Sequence, residues 1–313
     1  MNRLIINDGN AILHRAFHAL PPLTAPNGTV VNAVYGFTSM LIRLVSDLTP
    51  THVAVAFDRP APTFRKQLYA DYQMKRPKMD EGLAAQIPLV HDVVRAMQLP
   101  IFEMDGFEAD DVIGTLCDTY KDSMDQIIVV TGDRDLLQLV TEKIKLYMPT
   151  KGLSEAKLYG PKETVERLGV LPSQIADYKA LAGDNSDNYP GVPGVGPKTA
   201  SDLLHTYQSI ATLYKKLERA DMSQSLKEKL AKNKELAFLS KELATIKQDV
   251  PIETAIGPIS RAQFTTEKVM TILQQFGFNS LIKRMQSTDN TTAQKEKKKV
   301  ERKKVIDEQM SLI

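Results

Sequence analysis

The stretch GFEADDVIGTL, residues 106–116, places Glu108, Asp110 and Asp111 within four consecutive positions, directly before an apolar run. The spacing of the apolar residues predicts a helix with one buried face. A single acid at a helix start is explained by capping or by the helix dipole. Three acids at one start indicate a further role, and similar acids recur elsewhere in the chain.

Strand-like runs alternate with helical patterns in the first half of the chain. The runs are RLIIND, HVAVAFD, LPIFEMDG, QIIVVTGD and KIKLYMP, at residues 3–8, 52–58, 99–106, 126–133 and 143–149. This alternation predicts an α/β fold with a mostly parallel central sheet flanked by helices on both faces. Four runs end in or lead to an acid: Asp8, Asp58, Asp105 followed by Glu108, and Asp133. Because the carboxyl ends of parallel strands form the ligand crevice, we expect these acids to meet there.

The composition excludes several classes of protein. The chain has 313 residues, of which 42% are hydrophobic, as in a globular protein with a sizeable core. One cysteine, Cys117, excludes internal disulfides and fits a reducing cytoplasm. No apolar run approaches ~20 residues, and the polar start is no signal peptide. The net charge of +2 conceals a basic stretch, KEKKKVERKK, at residues 295–304.

Nine acids near strand ends, helix starts and turns are candidate metal ligands. They are Asp8, Asp58, Glu108, Asp110, Asp111, Asp133, Asp135, Asp184 and Asp187. Taken singly, each is compatible with a helix cap or a turn. Taken together they repel, by roughly 4 kcal/mol for a pair ~4 Å apart at an effective dielectric near 20, and helix dipoles worth ~0.3–1 kcal/mol each do not offset this. Oxygen-only ligands favour Mg²⁺ or Mn²⁺, and so many acids predict two ions, an arrangement that hydrolyses phosphodiesters.

Two segments predict contact with a polyanion. TFRKQLYADYQMKRPK, residues 63–78, interleaves basic side chains with tyrosines that stack on bases in single-strand binders, although such a helix is also a common solvated face. GVPGVGPKTA, residues 191–200, leads into a helix at Pro197, whose free N–H groups point at a phosphate, and Lys198 adds charge. The glycines allow the protein backbone to approach a ligand closely. The loop therefore predicts sequence-independent binding to the backbone of duplex DNA.

The composition and hydrophobic pattern of the sequence predict three parts. Residues 1–171 form the α/β unit and include the basic segment. Residues 172–285 form a helical unit that contains the glycine loop. Residues 286–313 have almost no apolar side chains and predict a flexible basic tail, which ends in QMSLI.

Taken in order, the motifs of residues 1–285 resemble the 5′-nuclease (flap endonuclease) superfamily. The likeness is greatest to the bacterial 5′→3′ exonuclease domain of DNA polymerase I, without the polymerase part. The motifs are IINDGN, HRAFHAL, NAVYGF, VAFDRPAPTFR, GFEADDVIG, VVTGDRDLLQLV, LAGDNSDNYPGVPGVGPKTA and FGFNSL. The resemblance implies a PIN-like α/β fold, a helical arch at about residues 60–98, and a helix–three-turn–helix around the glycine loop.

The resemblance also implies roles for individual residues. The first metal group would be Asp8, Asp58, Glu108 and Asp110. The second would be Asp111, Asp133, Asp135, Asp184 and Asp187, with Asp110 near both. Contacts to DNA near the scissile phosphate would come from Arg15, Arg65, Tyr72 and Arg76. Duplex backbone, and often a potassium ion, would be held by the loop of Gly191, Gly194, Gly196 and Lys198.

One position departs from the family pattern. The family usually reads Tyr-Lys-x-x-Arg in the arch, whereas this chain has Gln73 between Tyr72 and Met74. The missing lysine would help to neutralise the phosphate in the transition state. Lys75 is the candidate substitute, together with Arg65 and Arg76, although Lys75 points elsewhere on a helix. We expect an active enzyme with an altered rate or substrate preference.

The resemblance implies a Mg²⁺-dependent 5′→3′ exonuclease and flap endonuclease of the bacterial cytoplasm. Its substrates would be DNA with 5′ flaps, nicks or ends, and RNA–DNA hybrids, in Okazaki fragment maturation and DNA repair. The terminal QMSLI resembles sliding-clamp peptides, with Gln309, Leu312 and Ile313 as anchors, and this tail favours a stand-alone nuclease over a piece of a longer protein.

Two alternatives remain open. One is a non-catalytic, structure-specific DNA-binding protein, which would have no reason to crowd like charges. The other is a metal-dependent RNase on a PIN-like domain, which would need neither the glycine loop nor the long arch.

Overall fold

The structure is a computed structural model and describes residues 1–151 and 155–286. The strands are β1 (Arg3–Asp8), β2 (His52–Ala56), β3 (Ile101–Phe102), β4 (Gln126–Val130), β5 (Ile144–Lys151) and β6 (Glu155–Tyr159). They form one sheet in the order β3-β2-β1-β4-β5-β6. All neighbours are parallel except β5 and β6, which are antiparallel. The predicted mostly parallel α/β sheet is confirmed, while β6 was not predicted, because its short, mainly polar sequence EAKLY has no strand pattern of its own.

Seven of the described α-helices precede residue 170. They are α1 (Gly9–Ala19), α2 (Asn32–Leu48), α3 (Phe64–Leu68), α4 (Glu81–Ala84), α5 (Ile87–Ala96), α6 (Ala109–Tyr120) and α7 (Pro161–Leu168). The helices that follow are α8 (Ile175–Ala182), α9 (Pro197–Tyr207), α10 (Ile210–Lys216), α11 (Gln224–Lys232), α12 (Lys234–Ala244) and α13 (Glu267–Gln275). None of the helices in the described part of the chain has the length and apolarity of a membrane span.

The central strands are buried on both faces, and alternate residues enter two different cores. Ile5, Val53 and Ile128 belong to a core shared with α1, α2, α5 and α13. Leu4 and Ile127, one position away, belong to a core shared with α6 and the helical unit. Because side chains alternate across a strand, β1, β2 and β4 each supply both cores, which explains their continuous apolar runs.

The helical unit is held against α6 by the chain that follows α12. A Cβ atom on Gly114 would lie 2.6 Å from the Ile246 side chain and 2.6 Å from the Lys247 carbonyl oxygen, so only glycine permits this approach. Farther along, the Tyr120 hydroxyl donates to the Thr254 carbonyl at 2.5 Å. The two units therefore share one continuous core beside the acid-bearing helix.

The predicted arch at residues 60–98 consists of the short helices α3 and α4 and the longer α5, separated by turns. Asp80 caps α4 by accepting from the Gly82 N–H at 2.8 Å. The buried Gln86 fastens the base of the arch to α2, because its side-chain oxygen accepts from the Ala33 N–H at 2.9 Å. Between α3 and α4 the chain contacts the turn after α8, where the Gln73 N–H donates to the Asp187 carbonyl at 2.8 Å.

Candidate metal centre

Two acids at strand ends anchor helix starts at the carboxyl edge of the sheet. Asp8 ends β1; one carboxylate oxygen accepts from the Ala11 N–H at 2.9 Å and the other from the Thr131 hydroxyl at 2.6 Å. Asp58 follows β2 and accepts from the Ala109 N–H, at the first residue of α6, at 2.7 Å. The N-terminal end of α6 is thereby held beside Asp8 and Asp58.

The three acids that begin α6 point in different directions. Glu108 is the N-cap residue, and Asp110 lies in the first turn. Asp111 is completely buried and accepts two hydrogen bonds from the Arg65 guanidinium, at 2.6 and 2.8 Å, and one from the Lys247 N–H at 2.8 Å. Asp111 was predicted as a metal ligand, yet its carboxylate is occupied by partners from within the protein.

Arg65 was predicted to contact DNA, and it lies beneath the surface with 2% of its area exposed. In addition to Asp111, it contacts Glu108 at 3.3 Å and donates to the carbonyl oxygens of Leu243 and Thr245 at 2.8 and 3.0 Å. Its geometry connects the arch, α6 and the end of α12. Arg65 therefore joins the arch to α6 and to the end of α12.

A second group of acids lies next to the first. The carboxylates of Asp135, Asp184 and Asp187 offer oxygen atoms that all lie within 4.8 Å of one another. Asp133 turns towards the same loop and accepts from the Asp135 N–H at 2.8 Å. Lys179 donates to both Asp135 and Asp184 from the last turn of α8.

The arch segment covers part of this second group. The Gln73 amide nitrogen donates to an Asp187 oxygen at 3.0 Å, and its backbone N–H donates to the Asp187 carbonyl at 2.8 Å. The buried Tyr72 hydroxyl lies 3.2 Å from Glu108 and 3.3 Å from Asp187, and its ring stacks on Tyr189 at 6.3 Å. Gln73 therefore contacts the second acid group, and its neutral amide stands where the family pattern predicts a lysine.

The electrostatics of the acids show that their charges act on one another. Burial raises the pKa of Asp8 to about 7, despite the hydrogen bonds that favour its ionised form, and Asp58 and Asp133 add to the rise. Burial likewise raises the pKa of Glu108 to about 7, with contributions from Asp111, Asp58 and Asp187. For Asp110, burial and then the charge of Asp133 raise the pKa well above its usual value. These three carboxyls of the first group thus resist ionisation unless positive charge is added.

The donor set fits hard divalent cations. Its members are carboxylates, with no histidine or cysteine among the nine candidates, and Mg²⁺ and Mn²⁺ prefer such oxygen ligands. The close triangle of Asp135, Asp184 and Asp187 and the raised pKa values of Asp8 and Glu108 both indicate places where a cation would stabilise the folded chain.

The candidate DNA contacts differ in accessibility. Lys75 and Arg76 are exposed in the arch, and Arg15 is half-buried on α1. In the glycine loop, Gly194, Gly196 and Lys198 are exposed at the start of α9. Gly191 is buried, and a Cβ atom there would lie 2.3 Å from the Gly183 nitrogen, so packing within the loop alone requires glycine at this position. The predicted clamp anchors Gln309, Leu312 and Ile313 lie outside the described residues.

Three residues at the site were missed from the sequence. The Thr131 hydroxyl joins Asp8 to the Asp133 N–H, at 2.6 and 2.9 Å. Lys179 pairs with the second acid group, and the Tyr189 hydroxyl is buried beside it. Thr131 and Lys179 lie two and five residues before an acid, a spacing that was the only available signal.

Family models match nearly the whole described chain. The 5′-3′ exonuclease N-terminal resolvase-like domain matches residues 3–169, and the 5′-3′ exonuclease C-terminal SAM fold matches residues 170–267. DNA polymerase I of Caldicellulosiruptor bescii is 41% identical over 285 residues, covering 90% of this chain and 33% of that protein. DNA polymerase I of Bacillus subtilis is 40% identical over 283 residues, covering 90% and 32%. The chain thus spans about a third of the length of these relatives.

Solved structures share the fold at low sequence identity. A zinc-bound bacteriophage T5 5′-exonuclease has a TM-score of 0.65 at 19% identity, covering 88% of this chain and 98% of that one. The T5 D15 flap endonuclease, in a pseudo-enzyme-product complex with DNA and metal ions, has a TM-score of 0.62 at 16% identity, covering 92% and 97%. These likenesses extend the fold assignment across both units of the chain.

The raised pKa values predict how stability depends on pH without metal. Asp8 and Glu108 keep their protons to about pH 7 when folded but lose them near 3.8 and 4.5 when unfolded. Between these values the unfolded chain binds fewer protons, so the free energy of unfolding falls as pH rises. Urea unfolding in EDTA should give a lower free energy of unfolding at about pH 8 than at about pH 5. Addition of Mg²⁺ should restore the lost stability at about pH 8. Equal or greater stability at the higher pH in EDTA would contradict this electrostatic account.

The neighbours Asp110 and Asp111 should respond oppositely to removal of the carboxylate. Asp111→Ala removes the bidentate partner of the buried Arg65 and leaves it only the longer contact with Glu108 at 3.3 Å, so it should lower the free energy of unfolding by ~3–5 kcal/mol. Asp110→Ala removes a repelled carboxylate and should leave stability in EDTA unchanged or raise it. Urea unfolding of both variants, with the double variant Arg65→Met/Asp111→Leu as control, measures the difference. If Asp111→Ala is harmless in EDTA and only weakens Mn²⁺ binding, Asp111 serves as a metal ligand.

Proposed function

Because the chain belongs to the 5′-3′ exonuclease family, we propose that it hydrolyses DNA phosphodiesters from 5′ ends and at 5′ flaps, using divalent cations held by its crowded carboxylates. The observation that carries this proposal is the meeting of two acid groups at one sheet edge. Asp8 and Glu108 resist ionisation there, and Asp135, Asp184 and Asp187 lie close enough to share one cation.

The first group of ligands would be Asp8, Asp58, Glu108 and Asp110, and the second would be Asp133, Asp135, Asp184 and Asp187. Bound cations would activate water and stabilise the charge on the leaving oxygen. The chain itself holds the ligands in place. Thr131 orients Asp8, and Asp58 fixes the start of α6.

Exposed basic residues of the arch are suited to the substrate phosphates. Lys75 and Arg76 are exposed beyond the docked Tyr72 and Gln73, and Arg15 lies on the helix that Asp8 caps. Arg65 contributes by fixing the arch to α6 through Asp111, which is a positioning role. Tyr72 has a ring suited to stacking on a base once the arch leaves Tyr189.

The start of α9 is suited to duplex backbone. Gly196 precedes the helix, has open space around its Cα, and is followed by Pro197 and the exposed Lys198. Free N–H groups of the first turn bind phosphate in this geometry. A potassium ion bound by carbonyl oxygens of this loop is part of the proposal, on the strength of the family resemblance.

Finer parts of the proposal rest on the chemistry of the residues and on the resemblance. Oxygen ligands support Mg²⁺ as the working cation, with Mn²⁺ as a substitute. RNA–DNA hybrids, flap removal in Okazaki fragment maturation, and repair are proposed as substrates and roles. The terminal QMSLI is proposed to bind a sliding clamp through Gln309, Leu312 and Ile313.

A structure-specific binder without activity and a PIN-like RNase are the two alternatives. The crowded acids count against a pure binder, because their mutual repulsion costs stability that binding alone does not require. The glycine loop and the arch count against a small RNase.

Cleavage of a 5′-labelled flap duplex in Mg²⁺ tests the proposal. The wild type should cut near the junction, and Asp110→Ala should lower the single-turnover rate at least ~100-fold while it still binds the duplex. Asp118→Ala is the matched control, since Asp118 lies on the same helix but is half-exposed and paired with Lys121. Binding without cleavage in all three proteins would support the binder, and cleavage only of RNA would support the RNase.

Replacing Gln73 tests whether the arch lacks a useful charge. A lysine would place an ammonium near Asp187, where Gln73 now donates at 3.0 Å, and should raise the single-turnover cleavage rate up to ~10-fold, equivalent to ~1.4 kcal/mol of transition-state stabilisation. Gln73→Met, which removes the hydrogen bond without adding charge, is the control. If Gln73→Lys is no faster than the wild type, Lys75 and Arg76 already supply the required charge.

A further inference from the structure

Lys179 lies inside the second acid group rather than at its edge. Its ammonium donates to one oxygen of Asp135 and one of Asp184. These carboxylates belong to the triangle, completed by Asp187, whose oxygens lie within 4.8 Å of one another. The Lys179 side chain is 13% exposed, so water screens the pairing little.

The ammonium of this lysine is in direct contact with two carboxylates, whose negative charges favour its charged form. A fixed single positive charge therefore occupies the place that a divalent cation would take. An ammonium and a divalent cation repel each other at such short range, so the two compete.

The third carboxylate of the triangle also has donors from within the chain. Asp187 accepts from the Gln73 amide at 3.0 Å and from the Tyr72 hydroxyl at 3.3 Å. All three carboxylates are thus satisfied without a metal. The first acid group differs in its partners among the described residues: Asp8 accepts from neutral donors, the Ala11 N–H and the Thr131 hydroxyl, and Glu108 contacts the Arg65 guanidinium at 3.3 Å.

A buried hydroxyl beside the triangle supplies a second position for the ammonium. The Tyr189 hydroxyl is buried and has no hydrogen-bond partner among the described residues. Tyr189 is fixed to Asp184 by two backbone hydrogen bonds, at 2.8 and 3.0 Å, and its phenol interacts electrostatically with Lys179. A buried hydroxyl without a partner is costly, and an ammonium that leaves the carboxylates would satisfy it.

We propose that Lys179 is a built-in counter-cation of the second acid group, which a divalent cation must displace, and that the displaced ammonium is received by the Tyr189 hydroxyl. This inference rests on the proposed function, which assigns the triangle to a metal ion. Its consequence is an unequal pair of sites: the first group fills at low metal concentration, and the second fills only when Lys179 moves. Lys179 is in this sense a positioning residue for metal occupancy.

Mn²⁺ titration of the full chain by calorimetry, with free Mn²⁺ followed by electron paramagnetic resonance, tests the inference. Lys179→Gln keeps a hydrogen-bond donor but removes the charge, and should tighten the weaker Mn²⁺ site at least tenfold or reveal a site absent in the wild type. Lys179→Arg retains the charge and should leave that site weak. Lys162→Gln, on an exposed lysine of α7, is the control and should change nothing. Tyr189→Phe should weaken the second site several-fold.

An unchanged or weaker second site in Lys179→Gln overturns the inference. If Lys179→Gln does not fold in EDTA, recovery of the folded state on adding Mn²⁺ supports displacement, and failure to recover it overturns displacement. The proposed function fails separately, if the wild type cuts no flap substrate in Mg²⁺. The Mn²⁺ titration does not depend on that result, so the two failures are distinguishable.

Discussion

Mutual repulsion among carboxylates at one edge of a parallel sheet is the constraint on which the rest of this structure depends. The sheet brings Asp8 and Asp58 together because β1 and β2 are adjacent and parallel, and α6 begins between them with Glu108 and Asp110. Burial, with a smaller contribution from the neighbouring carboxylates, raises the pKa of Asp8 and Glu108 to about 7, so ionising them in this arrangement costs free energy. A fold that keeps this arrangement needs positive charge or hydrogen-bond donors at each carboxylate.

The chain supplies these donors from segments that are distant in sequence. Arg65 from the arch neutralises Asp111, Lys179 from α8 neutralises Asp135 and Asp184, and Thr131 donates to Asp8. Since the arch, α6 and α8 all contribute, the electrostatics of the site also join the helical unit to the sheet. The same pairings leave Asp8, Asp110 and Glu108 without full compensation, and these are the carboxyls most in need of a bound cation.

Much of the fold could be predicted because it depends on local pattern. Continuous apolar runs ending in acids indicated parallel strands, and the family resemblance ordered the motifs. The pairings could not be predicted, because Arg65 and Asp111 are 46 residues apart and nothing local distinguishes a buried arginine from one that binds phosphate. The strand β6 was missed for a similar reason, since it is stabilised by pairing with β5 rather than by its own composition. Long-range contacts, rather than propensity, decide such positions.

In the docked arch, the free energy gained from hydrogen bonds is partly offset by backbone strain. Four hydrogen bonds join residues 71–73 to residues 187–188, at 2.8 to 3.3 Å. Each is worth ~0.5–1.5 kcal/mol net. Against them stand two non-glycine residues in the left-handed region, Gln73 at φ 52° and Asn188 at φ 58°, a conformation that costs ~1–3 kcal/mol and that asparagine tolerates better than glutamine. When the arch leaves Asp187, Gln73 is free to adopt an ordinary φ, so relief of strain offsets part of the lost hydrogen bonding. The net free energy that holds the arch over the carboxylates is therefore smaller than the sum of its hydrogen bonds.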